Sequence, residues 1–379
     1  MRSSLLGGLA PRAFLAKHWQ KRALMVRAAM QGFEGFLDRA AFFALATRDD
    51  VESRLVRRDG RRWTLEHGPF RLAQLRRLPA RNWTLLVQGV NLHCAEGAAL
   101  LSRFDFIPHA RLDDLMVSYA VPGGGVGPHF DSYDVFLLQG MGRRRWRVSR
   151  QKDLELVETA PLKILRRFHA EQEWILDPGD MLYLPPRYAH HGVAVTECAT
   201  YSIGFRAPTY RELVSEFLVR MADAVDMPGL YADPHLQPAR HPGKLGADMI
   251  EATRAAVKRL RWTRGDIEDF LGSYLSEPKP NVLFTPRSPL AAPALVRAIE
   301  RHGLALDGRT RLLYGPRCVY INGEPCRFPR GVPAALRDLA DRRSLPPGRV
   351  SPTLVALLQD WHASGFVHVP KTDNARSLA

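Results

Sequence analysis

The spacing of hydrophobic positions along this chain changes period several times, and each change marks an element. Over residues 11–46 it is near-helical: Phe14, Leu15, Trp19, Leu24 and Met25 recur with Lys17, Lys21 and Arg22 between them. This predicts helix, with a second helix over 33–45 and the aromatic stripe packed in a core. A loose alternation over 54–70, broken at Asp59-Gly60, predicts short strands, and the run that starts at Trp83 suits a buried strand. A helix-like segment reaches Phe106. Apolar runs then return at short intervals, over 115–121, 134–139, 143–148, 181–184, 192–195 and 200–205, with one short helix expected at 161–168. Strands this closely spaced, with turn signals between them, predict an antiparallel sandwich or barrel.

At Pro208 the pattern changes again. Thr209-Tyr210-Arg211-Glu212 fits a capping box and opens a helix to about Val225. A loop rich in Pro, His and Gly follows, then helices over 247–262 and 264–275, then a Pro-rich linker over 277–293. The tail predicts helix (293–302), strands (311–314 and 318–321), a turn at Asn322-Gly323, two helices (333–342 and 351–363) and a last strand (365–369). These shifts divide the chain into residues 1–207, 208–280 and 281–379.

Composition narrows the class. The 379 residues, 46% hydrophobic and 25% charged, suit a globular protein with a sizeable core. Lys and Arg number 54 against 39 Asp and Glu, a net charge of +15 spread along the chain. That surplus favours a polyanionic environment such as ribosomal RNA, DNA or a membrane surface, or reflects an arginine-rich coding bias. Cys94, Cys198, Cys318 and Cys326 form no Cys-x-x-Cys pair, so their spacing fits no zinc site and a reducing, cytoplasmic location is expected. No apolar run approaches the ~18 residues of a membrane span, and the first ten residues are too short and too poorly flanked for a signal peptide.

The chemistry concentrates in two stretches. VPGGGVGPHFD, from Val121 to Asp131, is a glycine-rich run that ends in His-x-Asp, and His129 and Asp131 on an extended segment point to one face. About sixty residues on, a Pro178-Gly179-Asp180 turn, a strand and Pro185-Pro186 lead to His190-His191. Neighbours on extended chain face opposite ways, so one of these two histidines completes a two-His, one-carboxylate face. Such a face suits Fe(II) and leaves positions open for a chelating keto acid and dioxygen. The return of the second motif to the first describes a double-stranded β-helix. In Arg143–Arg147, strand parity sets Arg144 inward with Trp146 and Val148, and an inward arginine needs an anion, here the distal carboxylate of the keto acid. Ser118 shares the inward face of its strand with Met116 and Ala120. Asp113, Asp114, Tyr133 and Asp134 flank the site, where a carboxylate would suit a basic substrate.

These stretches, together with FLAKHWQKRAL near the N-terminus, PGDMLYLPPRYAHHGVA and YSIGFRAP, resemble the bacterial JmjC-type ribosomal oxygenases across most of the chain. The resemblance implies a cupin (JmjC) fold and a 2-oxoglutarate-dependent dioxygenase that 3-hydroxylates an arginine of a large-subunit ribosomal protein. It implies His129, Asp131 and His190 as metal ligands and Arg144 as the 2-oxoglutarate anchor. It also implies a homodimer formed by the helical region and a C-terminal winged helix. Two rival readings are a 2-oxoglutarate oxygenase of another protein, nucleotide or small molecule, and a non-catalytic cupin with a winged helix that grips nucleic acid. Against the second, the helix over 333–342 and the residue after it set Arg337, Arg342 and Arg343 against Asp338 and Asp341, which is not strongly basic.

Overall fold

The computed structural model describes residues 4–60 and 62–370. They fall into two compact units. One takes the chain up to Ala207, then Pro278–Thr310 and the chain from Asp338; the other takes Pro208–Glu277 and Arg311–Arg337.

Up to Ala207 the first unit is built on eleven strands among the described residues. They are β1 (Leu24–Val26), β2 (Ser53–Asp59), β3 (Arg62–His67), β4 (Trp83–Val87), β5 (Leu112–Ala120) and β6 (Tyr133–Gln139). The rest are β7 (Arg144–Ser149), β8 (Gln172–Leu176), β9 (Met181–Leu184), β10 (Ala189–Ala194) and β11 (Cys198–Arg206). Eight form one antiparallel sheet in the order β1-β9-β6-β11-β5-β4-β2-β3, and β10-β7-β8 form a second. Alternation gives the large sheet two different faces. Val117, Tyr119, Phe136, Tyr183, Tyr201 and Phe205 lie in the main apolar core, which also takes side chains from α1 (Pro11–Lys17), α2 (Arg39–Ala46), α3 (Leu72–Arg76) and α4 (Ala95–Ser102). Phe14 is fully buried there, its ring centroid 4.9 Å from that of Tyr183. From the opposite parity, Val135, Leu137, Leu182 and Leu184 pack with Trp146, Val148 and Leu176 of the small sheet. Two facing antiparallel sheets with this inner layer are the double-stranded β-helix that the paired motifs imply.

The structure departs from the sequence reading in several places, and the helix expected over 33–45 begins only at Arg39. Leu24–Val26 is not helical but an edge strand paired with β9, Leu24 opposite Tyr183. Three residues are too few to show a period, and the chain turns just before them, where Gln20 has φ 55°. Residues 161–168 form no helix. They run as irregular chain over the site, Leu165 bridging Leu156 and donating its N–H to the Pro128 carbonyl. Strand β8, two of whose five residues are exposed, shows no clear alternation.

Further along the first unit lie α8 (Ala292–His302), β12 (Leu304–Leu306), β16 (Ser344–Leu345), α10 (Val355–Ala363) and β17 (Val367–His368), with strand order β16-β12-β17. The second unit contains α5 (Tyr210–Asp223), α6 (Ala247–Arg259), α7 (Arg264–Ser276) and the sheet of β13 (Leu312–Tyr314), β14 (Cys318–Ile321) and β15 (Glu324–Arg327). A helix α9 (Ala334–Arg342) bridges the Arg337/Asp338 division. Thr209 caps α5 by accepting from the Glu212 N–H. Asn322 (φ 50°) and Gly323 (φ 93°) make the two-residue turn between β14 and β15, the left-handed pair that an Asn-Gly hairpin requires.

The Pro178-Gly179-Asp180 turn fixes the entry to β9. The buried Asp180 carboxylate accepts from the Ala28 N–H (2.9 Å), the Asp177 N–H (3.0 Å) and Arg27 Nη1 (2.5 Å). Replacing Asp180 with Ala strands these donors, and urea titration should show a loss of about 2–3 kcal/mol of unfolding free energy.

Candidate metal centre and cosubstrate pocket

His129 and His190 face each other across a backbone bridge. The His129 N–H donates to the His190 carbonyl (2.9 Å) and the His190 N–H to the His129 carbonyl (2.8 Å). Opposed residues of such a pair share a face, so the two rings meet at a centroid distance of 4.1 Å. Asp131 follows two residues after His129, its backbone carbonyl accepting from the Arg187 N–H at 2.7 Å. Its Oδ2 lies 3.9 Å from His129 Nε2 and 3.5 Å from His190 Nε2. One ligand atom from each of the three residues falls within 4.8 Å of the others, the only such group of three among the described residues.

Both rings are held in the tautomer that a metal needs. His129 Nδ1 lies 2.9 Å from the Gly127 carbonyl and His190 Nδ1 2.9 Å from the Tyr188 carbonyl. A carbonyl only accepts, so each Nδ1 carries the proton and each Nε2 presents a lone pair toward Asp131. Burial, and then the neighbouring His129, pushes His190 down to about 4, so its ring is neutral at neutral pH. Two imidazoles with their Nε2 atoms on one side and a carboxylate between them fit a divalent ion. His191 turns the other way, 2.8 Å from Arg147 Nη2 with its ring edge-on to Phe168, as alternation along β10 requires.

Arg144 is buried, 4% exposed, and projects from β7 on the same face as Trp146 and Val148, while Arg145 is exposed. Register explains the shared wall: Arg144 opposes Ala194, Trp146 opposes Gly192 and Val148 opposes His190. Gly192 matters here, because a Cβ would meet the Trp146 ring at 2.7 Å. Arg144 Nη1 donates to Ser118 Oγ at 2.8 Å, and its guanidinium lies 5.9 Å from the Trp146 ring centroid. Its Nε and Nη2 are buried without a hydrogen-bond partner among the described residues. A buried cation with two unsatisfied donors fits a carboxylate, which accepts both in a fork.

His129, Asp131, His190, Arg144 and Ser118 all line one cavity of about 420 Å³. Met116, Leu137 and Ser202 add to its wall, as does Thr84, a lone hydroxyl in an otherwise apolar buried strand, which was the sequence signal for it. The glycine run packs backbone on backbone: the Gly123 N–H donates to the Ala194 carbonyl and the Ala194 N–H to the Gly124 carbonyl, both at 2.9 Å. The flanking acids are engaged. Asp134 accepts from Tyr183, Gln20 and Arg111; Asp113 pairs with Arg206 and Lys279; Asp114 accepts from Gln88, the Gly89 N–H and Lys279. Exposed Tyr133 does not line the cavity.

A two-sheet β-helix with a two-His, one-carboxylate face and a buried arginine beyond it defines a JmjC-type cupin oxygenase. Residues 99–213 match the JmjC domain family and residues 259–368 the ROXA-like winged helix. The chain is 36% identical to the ribosomal protein uL16 3-hydroxylase of Escherichia coli (strain K12), over 83% of this chain and 85% of that protein. It is 33% identical to a probable ribosomal oxygenase of Haemophilus influenzae, over 83% and 82% of the two chains. Among solved structures, Escherichia coli YcfD superposes with a TM-score of 0.84 at 34% identity, covering 95% of this chain and 98% of that one. A YcfD complex with cobalt and 2-oxoglutarate superposes at 0.81, again 34% identical with the same coverage. The chain belongs to the bacterial JmjC-type ribosomal oxygenases, a family of Fe(II)- and 2-oxoglutarate-dependent dioxygenases.

The two adjacent histidines give a direct check. In calorimetric titrations with Co(II), His190→Ala should lose most of the metal affinity while His191→Ala keeps it; the reverse order would move the ligand to His191.

Proposed function

We propose that this protein 3-hydroxylates an arginine of a large-subunit ribosomal protein, using Fe(II), 2-oxoglutarate and dioxygen. His129, Asp131 and His190 hold the metal, and Arg144 with Ser118 anchors the distal carboxylate of 2-oxoglutarate. The observation that carries the reading is the pairing, in one cavity, of a His-Asp-His face with a buried guanidinium short of acceptors. With metal and cosubstrate bound, oxidative decarboxylation of 2-oxoglutarate to succinate and CO2 supplies the power to place one oxygen atom into a substrate C–H bond.

The residues around that chemistry position and shield it. The Gly127 and Tyr188 carbonyls fix the Nε2 lone pairs on one point. Asp131 offsets part of the metal charge. Trp146, Leu137, Met116 and Val126 give the cavity apolar walls, which strengthen the Arg144–carboxylate attraction by excluding water. A basic substrate would favour an acidic mouth, but the charged residues lining the cavity are Arg54, Arg144 and Lys163 against Asp131. The carboxylates that could offset them, Asp113 and Asp114, already pair with Lys279.

The domain assignment follows the same reading: residues 1–207 as the catalytic cupin, 208–280 as the dimerising helical region and 281–379 as the winged-helix part. In support of a homodimer, α5 and α6 expose Val214, Leu218, Val219, Met249, Ile250 and Val257. No helix among the described residues is long and apolar enough to cross a membrane. The four cysteines are free thiols, which suits the proposed cytoplasmic location.

Intact-mass analysis of ribosomal proteins from cells with and without the gene tests the substrate. One large-subunit protein should lose the mass of one oxygen atom in the deleted strain, and His129→Ala should fail to restore it. No change on any ribosomal protein would favour another substrate. Arg144→Ala should raise the 2-oxoglutarate concentration needed for half-maximal succinate release by about tenfold or more. Light scattering should give twice the chain mass for the native protein and the single chain mass for Leu218→Glu with Val219→Glu.

A further inference from the structure

Three residues of the cavity wall hold buried side-chain atoms without a hydrogen-bond partner among the described residues. They are Thr84 Oγ1, Arg144 Nε and Nη2, and Trp146 Nε1. Buried polar groups are paired in the great majority of cases, so several unpaired donors around one cavity describe the ligand that belongs there. The Nε–Nη2 edge of Arg144 is the fork that takes a carboxylate in two parallel bonds, since Nη1 is already committed to Ser118. A carboxylate has about four lone-pair sites, and the fork fills two. In a dry pocket the other two need donors.

Thr84 is placed to supply one. It is 1% exposed and sits on β4, where Thr84 opposes Ala120 and Leu86 opposes Ser118. Thr84 and Ser118 are therefore diagonal neighbours on the inner face of adjacent strands, within reach of one small group. The side chains at that end are small: Ala120, Ala194 and Cys198 form their own cluster, and Ala194 is the residue opposite Arg144. Thr84, Ser118 and Arg144 line the same cavity, so a ligand lying beside the guanidinium has the Thr84 hydroxyl within the same enclosure. Trp146 lies between the two ends of the pocket, its ring centroid 5.9 Å from that of His190 and 5.9 Å from the Arg144 guanidinium.

We propose that the Thr84 hydroxyl is a further cosubstrate-binding group, donating a hydrogen bond to the distal carboxylate of 2-oxoglutarate beside Arg144 and Ser118. The inference rests on the reading of Arg144 as the cosubstrate anchor. Thr84 is thereby a determinant of selectivity for dicarboxylate over monocarboxylate keto acids.

The test is calorimetric titration of the Co(II)-loaded protein under nitrogen, so that binding is read without turnover. Two keto acids are compared, 2-oxoglutarate and 2-oxopentanoate, which keeps the chelating end and replaces the distal carboxylate with a methyl group. Thr84→Val removes the hydroxyl at constant shape and should weaken 2-oxoglutarate by about tenfold while leaving 2-oxopentanoate unchanged. Thr84→Ser keeps the hydroxyl and should bind 2-oxoglutarate within about twofold of the native protein. In the ligand-free protein Thr84→Val should melt no lower than native, since the hydroxyl has no partner to lose. An unchanged 2-oxoglutarate affinity in Thr84→Val overturns the proposal. So does an equal loss for both keto acids, or a lowered melting temperature, either of which makes Thr84 a packing residue. If Thr84→Val does not fold, Thr84→Ala against Thr84→Ser gives the same comparison. Arg144→Ala separates the two levels: native 2-oxoglutarate affinity in that variant removes the anchor itself, whereas its loss with Thr84→Val unaffected removes Thr84 alone.

Discussion

The two reciprocal hydrogen bonds between the backbones of His129 and His190 are the constraint on which the site depends. His129 ends the glycine-rich loop after β5, and His190 lies on β10 of the small sheet. Neither segment alone brings two imidazoles together. The bridge does so at the level of the main chain, so the ring positions need no ion to define them. The Nδ1–H bonds to Gly127 and Tyr188 then remove the remaining freedom, ring rotation. The metal end of the pocket is thus preorganised by backbone groups, which cost little to hold in place once the sheets have formed.

The other end of the pocket has the opposite character. Arg144 is buried with one side-chain partner, Ser118, and a nearby indole. Moving a guanidinium out of water costs several kcal/mol unless an anion and hydrogen bonds repay it. The fold carries that cost because β7 is pinned on both sides, by β10 and by β8, and because Val148 and Trp146 on the same face are core residues. Register fixes the arginine inward by the same alternation that buries its neighbours. A rigid His-Asp-His face and an under-satisfied cation lining one cavity suit a ligand that chelates a metal at one end and is anionic at the other.

How far the sequence led follows from the range of the forces involved. Alternation in RRRWRV placed Arg144 inward, and the opposite facing of adjacent residues allowed only one of His190 and His191 into the site without saying which, because both are properties of a single strand. Asn322-Gly323 read correctly because its turn chemistry is local. The failures lie where distant chain decides. Leu24–Val26 became a strand through its pairing with β9, and residues 161–168 are irregular rather than helical because Leu165 donates to the Pro128 carbonyl and bridges Leu156. Thr84 does not stand out in the sequence because its only mark is a hydroxyl among Trp83, Leu85 and Leu86, and the unpaired guanidinium that shares its cavity lies on β7, some sixty residues away. The engagement of Asp113 and Asp114 by Lys279, more than 160 residues on, left no trace in local pattern.

The glycine run beside the metal has a consequence for how such a site can diverge. A Cβ at Gly124 would run into the Trp83 carbonyl, and one at Gly125 into the Gly192 carbonyl. Both obstacles are main chain and cannot rotate away, so no side chain of any kind can be introduced there without moving a strand. At Gly192 the obstacle is a side chain, the Trp146 ring, which is itself packed in the core between the sheets. New substrate preferences are therefore closed off along the inner rim. They remain open along the outer wall, where Arg54, Leu65, Leu162 and Lys163 present side chains to the cavity from a hairpin and an irregular segment. Descendants of this chain would be expected to change what they accept through those outer positions, while inheriting the inner rim unaltered.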